Sequence, residues 1–511
     1  MNMLKTLCAC LILVVLIGCG GGSSNTKTTA TPTPTPTGTP FPNDQHLAQA
    51  LPVKMGTTGG NSTDSTTSGT KITCCSGTLG ALVQQGGNFF ILSNNHVLNK
   101  SDRGAAGDPI TQPGLVDNNC NGGSLVAHLT TAAALKPTST STTGACAGEP
   151  SPCGPSPSNV DAAIAQIVSS GAVDTSGSIL DLGTAGSAGI ASAPPSNTVA
   201  NPATVLGANE GVAKSGRSTG LTCSTLSSIN TEVSVVYNVS CGGATAFTST
   251  FNNQVIINGG NFSAMGDSGS LVVTKDTARP VGLLYGGNST SSSANPIQEV
   301  FNAFAGGGTM TIVGGGDHAV SCASQVTVSS ASLGPGASAA QLSEPERQRV
   351  LTVQQQRAGE LMQDKAVTAV DIGASEDSPG EGALVVRVSG PTRSPVPPVM
   401  DGVRTKVVMS PQAGMQRMPA LSRDDIDRAT ATKETYAEGL MSQPGIQGVG
   451  VGRSNDNSAE TAIVIYVLSG QPRPAIPAVF EGVRTKIIEG DRFRAFDWGK
   501  ETKTPVKCAK K

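Results

Sequence analysis

The sequence predicts a mainly β protein that ends in an α/β region. The chain of 511 residues has 63 glycines but only 3% aromatic residues, a balance that suits short strands joined by many turns. Short β-type runs recur between Gly/Ser/Asn clusters from about residue 70 to 313, for example Asn88–Leu92 and Val233–Tyr237. No long helical period interrupts them, which argues against a parallel βαβ sheet. After about residue 343 the charge density rises and a motif repeats.

The N-terminus has the features of an export signal. Lys5 precedes an apolar run from Leu7 to Ile17, which is too short to span a bilayer but suits a signal peptide over residues 1–18. The run ends in Gly18-Cys19 and then three glycines, which resembles the bacterial lipobox, so Cys19 is expected to carry a lipid. An ordinary signal peptide with a chance cysteine is the alternative. We therefore expect an exported, lipid-anchored envelope protein.

Cysteine usage agrees with export. Of the 12 cysteines, three lie in the first 19 residues, and the others can be oxidised outside the cytoplasm, although their number is odd. The four histidines and these cysteines form no zinc-like cluster, so no metal is expected. Two disulfides are favoured: Cys146 with Cys153, across a Pro/Ser-rich loop, and Cys223 with Cys241, between two successive strands.

The rest of the chain divides by composition. A Gly/Ser/Thr/Pro-rich stretch over residues 19–69 favours extended conformations and is expected to be a tether that holds a globular head off the membrane. The predicted domains are the β domain at 70–315, a linker at 316–342, and α/β modules at 343–420 and 421–511.

The C-terminal region repeats itself. Asp401–Val408 (DGVRTKVV) matches Glu481–Ile488 (EGVRTKII), and an apolar run precedes each copy. Ser343, followed by Glu-Pro-Glu, looks like the start of a helix. These tandem modules contain no set of nucleophile, base and acid, so they are expected to be accessory. Packing, substrate docking and partner binding all stay open for them.

One serine lies in a turn that suits catalysis. Ser268 stands in Gly266-Asp267-Ser268-Gly269, directly before an apolar strand. To attack a carbonyl, a serine needs a base, an acid that orients the base, and backbone N–H donors for the oxyanion. The N–H groups of Gly266 and Ser268 can supply that oxyanion hole.

A base and an acid precede this serine. His96 follows the apolar strand Phe89–Leu92, and Asp161 stands at the entry to another apolar run, with Asp117 as the rival acid. Each feature alone is common in turns and strand ends. Their joint occurrence in the order His, Asp, Ser predicts a catalytic triad, which needs no cofactor.

These motifs resemble those of the trypsin/chymotrypsin-like serine peptidases, over about residues 70–315. The resemblance is carried by Ile91–Val97 (ILSNNHV), Val160–Ala165 (VDAAIA) and Gly266–Gly269 (GDSG). It implies two six-stranded antiparallel β-barrels, with His96 and Asp161 from the first, Ser268 from the second, and the active site between them. The implied activity is hydrolysis of peptide bonds in proteins or peptides.

Two features depart from that family. No Ile-Val-Gly-Gly start precedes the domain, so no trypsin-like activation, in which a new N-terminus pairs with Asp267, is expected. The specificity pocket is expected to be floored by Phe262 and walled by Tyr285, Gly286 and Gly287, with no acid to hold Arg or Lys, so the pocket suits a small or apolar residue.

The net charge of the chain narrows the classes of binding partner that can be expected. With 34 basic and 36 acidic residues, the formal charge of -2 gives no electrostatic reason to expect nucleic acid or an anionic membrane as a partner. Lys214 and Arg217, beside a Gly-rich turn, are expected to be solvated rather than bound to substrate. The rival function is a non-catalytic envelope module that binds peptides or polymers on a protease scaffold.

Overall fold

The computed structural model describes residues 45–141, 146, 148–187, 189–322, 342–409, 418–472, 474–496 and 498–503. The predicted signal, Cys19 and most of the tether lie outside these residues. No helix within these ranges is long and apolar enough to cross a membrane.

The N-terminal half of the described chain consists of strands, two short α-helices and a 3-10 helix. Its elements, in order, are β1 (Thr57–Asn61), β2 (Ser65–Ser68), β3 (Lys71–Leu79), β4 (Ala81–Gln85), β5 (Asn88–Ser93), α1 (Asn95–Leu98), β6 (Pro109–Gln112), a 3-10 helix (Leu115–Asn118), β7 (Ser124–Ala132), β8 (Cys153–Pro155), β9 (Ala163–Ile167), β10 (Ala185–Gly186), β11 (Gly189–Ile190) and α2 (Pro202–Ala208).

Longer strands follow. They are β12 (Gly211–Gly216), β13 (Gly220–Asn238), β14 (Ala246–Asn258), β15 (Leu271–Thr274), β16 (Pro280–Gly287) and β17 (Ser291–Pro296), then α3 (Ile297–Ala303), a 3-10 helix (Ala305–Gly307) and β18 (Met310–Ile312).

The C-terminal region is the predicted α/β part. It comprises α4 (Glu344–Leu361), β19 (Val367–Ala374), β20 (Gly382–Val388), β21 (Val399–Met400), β22 (Val403–Met409), α5 (Arg423–Met441), β23 (Ile446–Arg453), β24 (Thr461–Leu468), β25 (Val479–Phe480), β26 (Val483–Gly490), β27 (Arg494–Ala495) and β28 (Trp498–Lys503). The mainly β class with a C-terminal α/β region is confirmed.

Two groups of paired strands, called here the first and the second ring, form the first part of the fold. In one, β4, β5, β9, β7, β6, β1 and β3 pair in that order, and only Gly80 separates β3 from β4. In the other, β13, β12, β15, β16, β17 and β14 pair in order, and β14 pairs back with β13. The largest apolar cluster fills the first ring and reaches β15 and β16 of the second, so the two rings share buried surface.

The tether boundary predicted at residue 69 is wrong. Thr57–Asn61 is a fully buried strand that pairs with both β3 and β6. Its Thr-Thr-Gly-Gly-Asn composition gives no apolar signal, because this strand is held by backbone pairing rather than by large side chains. The β domain also extends past residue 315, since Val320 belongs to the core and Cys322 forms a disulfide.

The disulfides correct one predicted pair. Cys146 bonds Cys153 as expected, but Cys223 bonds Cys322 rather than Cys241. Cys223 lies near the start of the long strand β13 and Cys241 lies just after its end, so the extended backbone keeps them too far apart to bond. The other bonds join Cys74 to Cys120 and Cys75 to Cys241.

The C-terminal region joins the second ring edge to edge. β23 pairs antiparallel with β13, and β24, β26 and β25 extend the same twelve-stranded sheet, while β19, β20, β22 and β21 form a separate four-stranded sheet. Two buried arginines bridge the two sheets: Arg404 donates to the Thr485 carbonyl at 2.8 Å, and Arg484 donates to the Thr405 carbonyl at 2.7 Å. These arginines belong to the repeated motif, which therefore has a packing role here.

Helix α5 offers a measurable capping contact. The Ser422 hydroxyl accepts a hydrogen bond from the Asp425 N–H at 3.1 Å, which satisfies one of the free donors of the first turn. We expect Ser422→Ala to lower the free energy of unfolding by about 1 kcal/mol, measured as a shift of the urea midpoint at constant slope. Ser422→Thr keeps a hydroxyl that can accept from the Asp425 N–H and donate to the Asp425 carboxylate, so it should retain most of the stability, and equal losses in both variants would contradict the capping role.

Candidate active site

His96 is held by the turn that follows β5. It lies in the one-turn helix α1, and only 4% of its surface is exposed. The flanking side chains fix this turn: the Asn94 amide donates to the Asp161 carbonyl at 2.7 Å, and the Asn95 amide donates to the Ala133 carbonyl at 2.7 Å. The sequence motif Asn-Asn-His is therefore a device that fixes the imidazole relative to Asp161.

Asp161 is the carboxylate that meets this histidine. One oxygen lies 2.5 Å from His96 Nδ1, and the other accepts the His96 backbone N–H at 3.3 Å. Asp161 is completely buried, and its own N–H donates to Asn295 Oδ1 at 3.0 Å. A buried carboxylate on Nδ1 sets the ring orientation and leaves Nε2 to exchange protons.

The rival acid Asp117 has another partner. Its two oxygens accept from Arg217 Nη2 at 2.5 Å and Arg217 Nε at 2.7 Å, and Thr58 also donates to it. Arg217 is only 8% exposed, so the expectation that it is solvated is wrong. The bidentate pair joins the two rings of strands, and the structure does not bring Asp117 to His96.

The Ser268 turn lies where the two rings meet. The Thr78 N–H donates to the Ser268 carbonyl at 2.8 Å, and a Cβ added at Gly80 would lie only 1.8 Å from the Gly269 carbonyl oxygen. A Cβ built at Gly77 would contact both Val97, the residue after His96, and the Ser268 carbonyl oxygen. The close approach of glycine backbones thus brings the serine turn against the histidine turn.

Positive φ angles shape this turn. Gly266 has φ +97° and Gly269 has φ +94°, values that other residues rarely adopt. The buried Ser268 hydroxyl donates to the Tyr285 carbonyl at 3.2 Å. Burial raises the pKa of the Tyr285 phenol well above its usual value, and the Asp161 charge acts in the same direction. Tyr285 therefore contacts the serine through its backbone carbonyl.

The sequence analysis did not predict the buried contacts of Asp267 and Lys214, which support the serine turn. Asp267 is buried and accepts from the N–H groups of Ser218 at 2.8 Å and Ala264 at 2.9 Å. Lys214 Nζ lies 3.6 Å from the same carboxylate and has no exposed surface, so the expectation that Lys214 is solvated is also wrong. Burial lowers the pKa of Lys214, and Asp267 opposes that change. A lysine inside the apolar strand β12 was the available signal.

The contact between Lys214 and Asp267 indicates whether the chain needs a newly cleaved N-terminus to become active. In the resembled family, a new N-terminus pairs with the aspartate before the serine, whereas here Lys214 is the cation beside Asp267. The buried charge is already compensated within the chain, so no cleaved N-terminus is needed to neutralise it.

The predicted pocket residues line one face of β16 and the loop before Ser268. Phe262 is 3% exposed and belongs to an apolar cluster with Leu284 and Phe496. Gly287 directly faces that cluster, because a Cβ added there would lie 2.7 Å from Phe496 Cζ. Tyr285 points elsewhere, since its ring packs on Phe251 at 5.2 Å between centroids. Tyr285 therefore contributes its backbone carbonyl rather than its side chain to this side of β16.

Comparisons with known proteins give structural matches only. Neither the models of known protein families nor the curated protein sequences match this chain. About half of the chain is similar to solved bacterial serine proteases. One is described as a glutamic-acid-specific serine protease that uses a histidine triad in substrate binding, with 16% identity, a TM-score of 0.31, and coverage of 51% of this chain and 100% of that chain.

Two further solved protease structures match this chain to a similar extent. Protease A of Thermobifida fusca has 16% identity and a TM-score of 0.28, with coverage of 47% of this chain and 92% of that chain. The Nocardiopsis protease has 15% identity and a TM-score of 0.29, with coverage of 50% and 97%. At such values the chemistry of this chain has to be inferred from its own residues.

Proposed function

We propose that the chain is a serine endopeptidase that hydrolyses peptide bonds, with Ser268 as nucleophile, His96 as base and Asp161 as the orienting acid. The observation that carries this proposal is the buried 2.5 Å contact between His96 Nδ1 and Asp161, next to the Ser268 turn. A buried His–Asp pair can act as a catalytic base only if a nucleophile lies beside it, so the neighbouring Ser268 turn is essential to the proposal. We also infer that the two rings of strands correspond to the two barrels that the resemblance implies. The second ring has the expected six strands, whereas the first has seven, with β3 and β4 separated only by Gly80.

The mechanism follows from these positions. His96 takes the Ser268 proton as the hydroxyl attacks the substrate carbonyl, and the proton then passes to the leaving amine. Asp161 stabilises the imidazolium that forms. The N–H groups of Gly266 and Ser268 stabilise the tetrahedral oxyanion, and water then hydrolyses the acyl-enzyme. This chemistry requires no cofactor.

The cellular location is inferred from the disulfide bonds. Four disulfides join cysteines of the β domain, which favours an oxidising compartment outside the cytoplasm. We propose export, removal of residues 1–18, and attachment of the protein to the cell envelope through a lipid on Cys19. Protein or peptide substrates of the envelope would then be the partners.

One observation favours the rival function. Ser268 has no exposed surface, because residues near the C-terminus cover the cleft. A scaffold that only binds peptides in this cleft would also keep its serine covered. The two functions differ in whether Ser268 is chemically activated.

The test is labelling with a fluorophosphonate probe, which reacts only with an activated serine. We expect the purified protein to be labelled and both Ser268→Ala and His96→Ala to be unlabelled. Ser176→Ala, at an exposed serine that hydrogen-bonds Ser178 and belongs to none of the proposed catalytic groups, should be labelled like the wild type. Because Phe496 covers the serine turn, labelling is also measured on Phe496→Gly. Absence of label on both folded proteins would contradict the proposal and favour the binding module.

A further inference from the structure

A strand from the C-terminal end of the chain lies in the cleft. Strand β27 pairs antiparallel with the end of β16, with Ala495 opposite Gly286 and Arg494 opposite Gly287. On its other side Arg494 pairs with Val236 of β13. Gly286 and Gly287 are the residues predicted to wall the substrate pocket. An extended peptide that adds a strand to an exposed sheet edge is a general mode of peptide recognition.

The next residue, Phe496, meets the catalytic backbone groups. Its N–H donates to the Tyr285 carbonyl at 3.3 Å, and the same carbonyl accepts from the Ser268 hydroxyl at 3.2 Å. The Phe496 carbonyl oxygen accepts from the Gly266 N–H at 3.1 Å. Gly266 is one of the two donors assigned to the oxyanion hole, so the Phe496 carbonyl accepts from a group that would also hold a carbonyl about to be attacked.

The Phe496 side chain fills the predicted specificity pocket. It is only 9% exposed and lies in the apolar cluster with Phe262, Leu284 and Ala294. Any side chain at Gly287 would collide with the ring, since its Cβ would lie 2.7 Å from Cζ. The pocket is therefore filled by a large apolar ring among other apolar side chains.

The chain continues past the serine on the other side of the cleft. Strand β28 pairs antiparallel with β3, and Trp498 lies opposite Ser76. Ser76 is two residues before Thr78, whose N–H donates to the Ser268 carbonyl. The segment is thus held by backbone pairing on both sides of the serine turn, as an extended substrate would be.

We propose that the chain is its own substrate and that Ser268 cleaves the peptide bond that follows Phe496. This inference rests on the proposed function and adds to it a self-cleavage site and a preference for a phenylalanine-like residue before the cleaved bond. Cleavage separates the peptide Asp497–Lys511 from the rest of the chain. Until that peptide and the β27 segment leave, external substrates are excluded from the cleft.

The step balances without an added oxidant or reductant. Ser268 Oγ bonds the Phe496 carbonyl carbon, and the C–N bond to residue 497 breaks. The hydroxyl proton passes through His96 to the departing nitrogen, which becomes a free amine. One water then adds its OH to the Phe496 carbonyl and returns its proton through His96 to Ser268, leaving a Phe496 carboxylate.

The experiment follows the intact mass of the purified full-length protein during incubation. We expect the wild type to lose the mass of Asp497–Lys511 and the peptide beginning with Asp497 to appear, while Ser268→Ala keeps its full mass. Because enzyme and substrate are one chain, the rate should not depend on protein concentration. A wild type that keeps Lys511, or a Ser268→Ala protein that is cut at the same bond, would overturn the inference.

Fluorophosphonate labelling of the same samples separates the two proposals. An intact wild type that is labelled would refute self-cleavage but leave the serine endopeptidase standing. An intact wild type without label, with Phe496→Gly also unlabelled, would refute both. Ser268→Ala mixed with catalytic wild type adds a further readout, because rapid cutting of the inactive chain would contradict cleavage within one chain.

Variants at Phe496 test the pocket. Phe496→Asp places a charge in the apolar cluster, and we expect cleavage after residue 496 to slow at least about 100-fold. Phe496→Leu still fills the pocket, and its rate should stay within about tenfold of the wild type. Circular dichroism checks that each variant is folded. Equal rates for Asp, Leu and Phe at this position would overturn the assignment of Phe496 to the pocket.

Discussion

Asp161→Asn is expected to lower kcat about 10⁴-fold while the protein stays folded. Asp161 accepts from both His96 Nδ1 and the His96 backbone N–H, so the neutral amide loses the charge that stabilises the imidazolium and favours the wrong tautomer. The measurement is kcat on a peptide substrate with phenylalanine before the cleaved bond. Both the Asp161→Asn chain and its reference carry Phe496→Gly, so that neither depends on self-cleavage to open the cleft, and the enzyme concentration is set by absorbance.

The matched control is Asp117→Asn. It makes the same chemical change at the rival carboxylate, which pairs with Arg217 rather than with His96. We expect it to reduce stability but to leave the pH profile of kcat unchanged. If Asp117→Asn abolished turnover and Asp161→Asn did not, the assignment of the acid would have to be reversed.

Lys214→Met is expected to lower the free energy of unfolding by about 3 kcal/mol. Both Lys214 and Asp267 are fully buried, so removal of the ammonium leaves a carboxylate without its cation. The loss should lie at the low end for such pairs, because Asp267 keeps hydrogen bonds from Ser218, Thr219 and Ala264. Urea unfolding monitored by circular dichroism measures it.

Lys275→Met is the control for this substitution. Lys275 is exposed at the end of the same sheet, so its replacement should change stability by less than about 0.5 kcal/mol.

Since Asp267 directly precedes Ser268, we also expect Lys214→Met to slow fluorophosphonate labelling. A Lys214→Met protein with unchanged stability and labelling would show that the buried pair does not support the serine turn.

Local sequence was sufficient for features that a few consecutive residues determine. The glycines on both sides of Asp267-Ser268 predicted a tight turn, and the structure gives Gly266 and Gly269 positive φ angles. Ser343 predicted a helix start, and α4 begins directly after it. The Cys146–Cys153 bond, which spans a short loop, was also predictable.

Long-range partners were not predictable in the same way. Cys223 bonds Cys322 at a sequence separation of 99, and nothing near either cysteine specifies that partner. Thr57–Asn61 has no apolar pattern, so only its pairing with two strands shows that it belongs to the core. The partners of Lys214 and Arg217 likewise depend on how the two rings of strands meet.

The sequence by itself determined the candidate nucleophile, base and acid, because each is marked by its own strand end or turn. Only the tertiary structure decided that Asp161 rather than Asp117 meets His96, and that Phe496 lies against Gly266 in the cleft. The physical reason is that strand pairing and burial join residues that are far apart in the sequence, 65 positions in the case of His96 and Asp161. The local sequence does not predict those contacts, whereas the tight turn at Ser268 is determined by the glycines next to it.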